Sequence, residues 1–288
     1  MKDEPESKPC TVQGLSSAPK AASLILSAEE MSLTMSKIVA CKADAAAWRL
    51  LLLGLLAGLY IGFGSHLFLV AMQAGMGRIV GGAVFGLGLV LVVVAGAELF
   101  TGNAVMATGI LERDCSLSKM LRNWIWVYLG NMAGSLLLVF LVLKSGLLSC
   151  DGAPTALGGF AAGVAAAKLE LTFEEAFCRG ILCNILVVSA VNMAILARDI
   201  VSKIFCCILP IMAFVASGYE HCVANMYLIP AGLAAKGVPL ADHLAIFRNL
   251  LPVTLGNILG GIGIIILYPN RFRQLLALLQ RRPAARQP

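Results

Sequence analysis

Six apolar stretches, each long enough to cross a lipid bilayer, leave this chain few ways to fold. The hydrocarbon core of a membrane takes about 20 apolar residues in helical form. The sequence supplies such runs at 48–72, 79–111, 124–147, 176–197, 204–235 and 250–268. The second and fifth are interrupted by polar residues. A further apolar run at 154–167 is short and rich in Gly and Ala, which predicts a re-entrant or interfacial piece rather than a span. Composition agrees: charged residues make up 13% of the chain, against about 25% in soluble domains. The 29 glycines suit closely packed membrane helices. The reading is an all-α membrane protein.

Residues 1–47 are polar, with acids and bases mixed, and lack the basic-then-apolar pattern of a cleaved signal peptide. Within them Ser27 and Glu30 have capping-box spacing, which reads either as the start of a short cytosolic or interfacial helix or as a chance match in a disordered tail. Six spans put both ends on one side. The tail after the last span, residues 269–288, carries Arg271, Arg273, Arg281, Arg282 and Arg286. With the tails in the cytoplasm, only Arg78, Lys144, Lys168, Arg179, Lys236 and Arg248 of the 22 Lys and Arg lie outside, as the positive-inside rule favours. The net charge of +6 is thereby assigned to membrane orientation, not to nucleic acid. The nine Cys are scattered and form no C-x-x-C, so neither a metal site nor a disulfide framework is expected, and no cofactor.

The two interrupted spans share a pattern. Gly96-Ala-Glu98 with Asn103 and Gly218-Tyr-Glu220 with Asn225 both read G-x-E-x-x-x-x-N. The third and sixth spans also agree, as Leu129-Gly130-Asn131 with Gly134 and Leu255-Gly256-Asn257 with Gly260. Spans one to three (about 48–147) and four to six (about 176–268) are therefore copies of one unit. Three is odd, so the copies insert with opposite topology. Backbone broken at membrane depth is tolerated only where protein buries it or a cavity satisfies it. The two breaks are thus expected to meet near the midplane and frame a pathway. Glu98, Asn103, Glu220 and Asn225 are expected to hold the broken loops.

Of the three His, His243 lies in a polar loop and His66 near the end of the first span. His221 lies within the break of the fifth span. An ionisable group there is a functional candidate: it reads either as a group that exchanges a proton near neutral pH during transport or as a neutral imidazole that only hydrogen-bonds the loop. Lys168 follows the small-residue run and reads either as an anion-attracting cation in an outer vestibule or as a snorkelling lysine. Phe85 and Leu89 share a helix face by their i, i+4 spacing. With Phe214 they could form dewetting constrictions on either side of the centre.

Several motifs in order resemble the formate/nitrite transporter family. They are Gly81-Gly82, Phe85-Gly-Leu-Gly-Leu89, Glu98-Leu-Phe-Thr101, Asn123-Trp124 with Tyr128-Leu-Gly-Asn131, Gly180-Ile-Leu-Cys-Asn184, the segment from Phe214 through His221 to Met226, and Leu251-Pro-Val-Thr-Leu-Gly-Asn257. The resemblance covers roughly 48–268. It implies an aquaporin-like protomer of six helices around a pore, assembled as a homopentamer, with an Ω-shaped loop at Thr101 and an S-shaped loop at His221. It makes Thr101, Lys168, Asn184 and His221 the polar residues of the pathway and Phe85, Leu89 and Phe214 the constrictions. Gly102-Asn103 departs from the small hydroxyl residues common in bacterial members. The nine Cys and long polar N-terminus look more like the protozoan parasite branch, which resembles plasma-membrane exporters of lactate and formate with protons.

The resulting expectation is a transporter, not an enzyme, that moves a small monocarboxylate (L-lactate, formate, acetate or nitrite) with a proton as a net neutral acid. A bare carboxylate in a low-dielectric constriction is heavily penalised, and neutralisation removes most of that cost. The alternatives are a gated anion channel, a water or glycerol pore and an intramembrane enzyme. The asparagine-proline-alanine pairs of aquaporins are missing, and no H-E-x-x-H or nucleophile motif is present.

Overall fold

The computed structural model describes residue 23 and residues 25–280; the polar tail before residue 23 and Arg281, Arg282 and Arg286 lie outside the described residues. The first helix, α1 (Ala28–Asp44), starts at the capping box: the Ser27 hydroxyl accepts the Glu30 N–H, and the Glu30 carboxylate accepts the Ser27 N–H. Two backbone donors at the helix start are thereby satisfied. The long α2 (Ala47–Gln73) follows.

Next come α3 (Gly77–Phe85) and α4 (Leu87–Ala95). Gly86 between them keeps helical φ and ψ of −53° and −24°, so the two run on as one 19-residue span, Gly77–Ala95. The real break is at Gly96, which ends α4 in the left-handed region at φ 79°, a conformation glycine adopts without steric cost. The chain then passes through a turn to a 3₁₀ segment, Gly102–Met106, and the short α5 (Ala107–Glu112). α6 (Leu117–Lys144) closes this half.

The second half repeats the plan. A small hairpin pairs Ser149–Cys150 with Ala153–Pro154. It leads to α7 (Ala156–Leu169), whose 14 residues make the predicted short piece a helix that packs on the second-half core. A Cβ at Gly232 would strike the Ala161 carbonyl of α7, so the backbones touch there. Then come α8 (Phe173–Leu196), opened by a Thr172–Glu175 capping box, and α9 (Ile200–Ala216). The break after α9 is at Gly218, φ 76°, and α10 (Cys222–Ala235) resumes beyond it. A 3₁₀ segment, α11 (Ile246–Ile266) and α12 (Pro269–Leu279) complete the described chain.

Among the described residues, five helices are long and apolar enough to cross a membrane; α9 and α10, each shorter, divide the fifth predicted stretch between them. The L-G-N-x-x-G motifs are contact surfaces. A Cβ at Gly134 on α6 would collide with the Leu55 carbonyl of α2, and one at Gly260 on α11 with the Ile181 carbonyl of α8. Small residues at these crossings let backbones approach directly, the main source of helix adhesion in lipid. The outward side is greasy: Ile125, Leu129, Leu136 and Phe140 of α6 are all exposed, as expected of a surface solvated by acyl chains.

Candidate functional site

The two broken loops are pinned by one asparagine each. Asn131 Nδ2 donates to the carbonyls of Gly54 (2.8 Å) and Glu98 (2.9 Å), and its Oδ1 accepts the Phe100 N–H (2.9 Å). Asn257 repeats this with Gly180 (2.8 Å), Glu220 (2.9 Å) and the Cys222 N–H (2.9 Å). Freed backbone groups at membrane depth thus find partners, which is the condition for a break to exist there.

Each break also carries a charged clasp. In the first half, Lys42 Nζ lies 2.6 Å from Glu98 Oε1 and 2.9 Å from Asn103 Oδ1. Asn103 Nδ2 donates to Glu98 Oε2 (2.6 Å) and Asn123 Oδ1 (2.8 Å), and Asn123 Nδ2 to the Lys42 carbonyl (3.1 Å). In the second half, Lys168 Nζ lies 2.8 and 3.0 Å from the two Glu220 oxygens. Asn225 Nδ2 donates to Glu220 Oε2 (2.6 Å) and Asn249 Oδ1 (2.7 Å), and Asn249 Nδ2 to the Lys168 carbonyl (2.9 Å). The duplication therefore reaches back to α1 and α7, beyond the first and fourth spans. Lys42 and Asn249 escaped the sequence reading. The available signal was that Lys42 precedes Gly54 by the same interval as Lys168 precedes Gly180.

Glu30 helps dock α1, and with it Lys42. Arg198 at the end of α8 bonds Glu30 at 2.5 Å. The Ser27 N–H, and then Arg198, pull the Glu30 carboxyl below its usual 4.5.

Between the clasps sits His221, buried, at the N-cap of α10. Its Nδ1 accepts the Ala224 N–H at 3.0 Å, and its Nε2 lies 2.9 Å from Thr101 Oγ1. A ring nitrogen that accepts from an N–H carries no proton. The hydrogen-bond network therefore assigns the Nε2–H tautomer, donating to Thr101. Phe214 stacks on the imidazole, with centroids 5.8 Å apart and planes at 16°. Phe85 meets Phe214 edge-on, 5.8 Å away at 79°. Asn184 Nδ2 donates to the Thr101 carbonyl (3.3 Å) and the Asn257 carbonyl (2.6 Å). Its Oδ1 is buried and without a partner among the described residues.

Chambers lie on both sides of this centre. One, of about 340 Å³, is lined by Lys42, Glu98, Asn103, Leu89 and Lys203. The other, of about 590 Å³, is lined by Lys168, Glu220, Arg78 and Arg179. A narrower space of about 110 Å³ reaches from Lys168 and Glu220 to Phe85, Phe214 and His221. Leu89 is thus on one side, and Phe85, Phe214 and His221 on the other. Thr101 and Asn184 line neither chamber; they join the centre through their hydrogen bonds. Glu98 and Asn103 do not contact His221. Among the described residues no cluster of metal-ligating side chains occurs.

A helical inverted repeat whose two broken spans meet at a buried polar centre, with a chamber on each side, is a transmembrane transport protein by architecture. The formate/nitrite transporter family model matches residues 29–270, and the chain belongs to that family. A probable formate transporter of Methanothermobacter thermautotrophicus is 43% identical over 247 residues, 78% of this chain and 89% of the relative. Formate-nitrite transporter 3 of Toxoplasma gondii is 33% identical over 256 residues, 83% of this chain and 50% of the relative. A solved pentameric formate channel with formate bound superposes with a TM-score of 0.65 at 36% identity, covering 81% of this chain and 98% of that one.

Proposed function

We propose that the protein carries small monocarboxylates (L-lactate, formate, acetate) and nitrite across the plasma membrane together with protons, as net neutral acids. One observation carries the reading: the passage offers no uncompensated positive charge at its narrowest part. Lys42 and Lys168 are held by Glu98 and Glu220 at 2.6 and 2.8 Å. The centre is built of a stacked imidazole, two phenyl rings and a hydroxyl, with the orphan acceptor Asn184 Oδ1 buried beside them. An acceptor repels a carboxylate oxygen and welcomes an acid O–H, so the protonated solute is the better partner. Desolvation at the rings raises the solute's own pKa and drives proton uptake there.

In this scheme Phe85, Leu89 and Phe214 form the constrictions, and His221, Thr101, Asn184 and Lys168 the polar path. Glu98, Asn103, Glu220 and Asn225 hold the loops. His221 acts through its Nε2–H by holding Thr101 Oγ1, which leaves the hydroxyl proton of Thr101 to meet the passing acid. Residues 48–268 form the membrane-spanning transport unit, to which the cytoplasmic N-terminal segment 1–47 lends Lys42; the tail at 269–288 is also cytoplasmic, and the protein assembles as a homopentamer in the bilayer. Support for the assembly is the likeness to the pentameric relative.

The purified chain in liposomes tests the reading. Labelled formate or lactate is expected to accumulate under an inward proton gradient at zero voltage. Uptake that ignores the proton gradient and follows an imposed voltage refutes it. That outcome favours the second reading, a gated monovalent-anion channel for formate and nitrite, to which the likeness to a solved formate channel lends weight.

A further inference from the structure

We infer that Arg78 and Arg179, rather than Lys168, form the anion-receiving site of the 590 Å³ chamber, binding a small carboxylate by charge before it meets the rings. The inference rests on the proposed carriage of small acids and deepens it. Lys168 is the cation nearest the passage, but both Glu220 oxygens hold it at 2.8 and 3.0 Å. Seen from the chamber, this buried pair is close to neutral. The chamber lining adds two more cations and no further acid. Among the described residues, neither guanidinium has a carboxylate within 4.0 Å. Glu175, one turn before Arg179 on α8, is tied to the Thr172 N–H and hydroxyl at 2.9 Å each and meets Arg179 only through a weaker through-space attraction. The excess charge therefore sits at Arg78 and Arg179. A concave, low-dielectric wall focuses such charge on the space it encloses.

The opposite chamber follows the same rule. Lys42 is held by Glu98, and Lys203 in the lining has no such partner among the described residues. Each mouth thus separates two jobs: a paired lysine that shapes the broken loop and an unpaired cation that gathers the anion.

Ser217 is exposed and lines the arginine chamber, so a thiol placed there reports its potential. The full chain carrying Ser217→Cys, in vesicles, is treated with an anionic and a neutral methanethiosulfonate, and modification of that residue is read by peptide mass spectrometry. A unit charge ~6 Å away in water changes local anion concentration about threefold. The anionic-to-neutral rate ratio is therefore expected to fall about tenfold in the Arg78→Gln/Arg179→Gln variant, and to survive in Arg78→Lys/Arg179→Lys. High salt is expected to flatten the difference. A ratio unmoved by the glutamines, or lost equally with the lysines, overturns the inference. Formate uptake in the same vesicles is read separately. The KM from this face should rise by a similar factor with the saturating rate kept, while Lys203→Gln should act only from the other face. A thiol that prefers the anionic reagent in a protein carrying no formate upholds the receiving site and refutes the proposed function.

Discussion

Removing Lys168 should cost far more than removing an ordinary surface lysine. Its ion pair with Glu220 is 2.8 Å long, and the two side chains are 15% and 6% exposed. At an effective dielectric of about 20, attraction at that distance is about 6 kcal/mol, much of it offset by desolvation. What matters is the partner left behind. In Lys168→Met, Glu220 keeps only the Asn225 bond and becomes an uncompensated buried carboxylate, a state that costs about 3–5 kcal/mol. Lys168→Met/Glu220→Gln removes both charges and keeps an acceptor for Asn225, so it should recover about 2 kcal/mol or more of that loss. The equivalent pair Lys42–Glu98, at 18% and 12% exposure, should show a smaller effect of the same sign. The assay is a double-mutant cycle on reversible unfolding in mixed detergent micelles. Transport gives a second readout. Lys168→Met should raise the KM for formate, because the bare Glu220 repels the anion, and the double variant should restore it. A Lys168→Met cost below about 1 kcal/mol, typical of a solvated pair, or strictly additive single effects, would refute the reasoning.

Further outcomes follow from the centre, the crossings and the docked N-terminal helix. Thr101→Val removes the acceptor of His221 Nε2–H; the buried donor left behind should cost about 1–3 kcal/mol in unfolding free energy, and lower the initial rate of formate uptake. Gly260→Ala drives a methyl into the Ile181 carbonyl, which cannot retreat because it is helix backbone; detergent-extracted protein should elute as aggregate, whereas Ala at Gly263, which faces open space, should elute as wild type. The folded-state pKa of Glu30 is depressed, so its contribution to docking α1 is full above the usual value of 4.5 and is lost as pH falls below it. Amide exchange across Ala28–Asp44, divided by the intrinsic unprotected rate at each pH, should show protection factors that fall on acidification through that range, and Glu30→Gln should show the low protection already at neutral pH.

Much of this architecture is legible in the chain itself, because bilayer chemistry is severe. A run of apolar residues with few charges has almost no alternative to a membrane helix, and two copies of G-x-E-x-x-x-x-N mark where the helices break. The motif works because its glycine is the hinge: Gly96 and Gly218 are both left-handed, and the acid two residues on reaches a lysine from another helix. Gly86 shows the limit of reading glycine by type, since it stays helical and α3 continues into α4. Lys42 was hidden for a different reason. α1 is polar along most of its length, so hydropathy assigns it to a tail, and only tertiary contact reveals that it supplies the clasp of the first half. Asn184 and Thr101 were placed by resemblance; their shared bond, through the Thr101 carbonyl, depends on the path of a non-helical loop that no periodicity encodes.

The imidazole at the heart of the protein is fastened at both nitrogens, one to the first turn of α10 and the other to the facing loop. Swivelling it would break both bonds and uncap the start of that helix. On the proposed reading the imidazole is a fixed fitting at the waist, and a small acid gets through according to the chemical state it adopts on arrival.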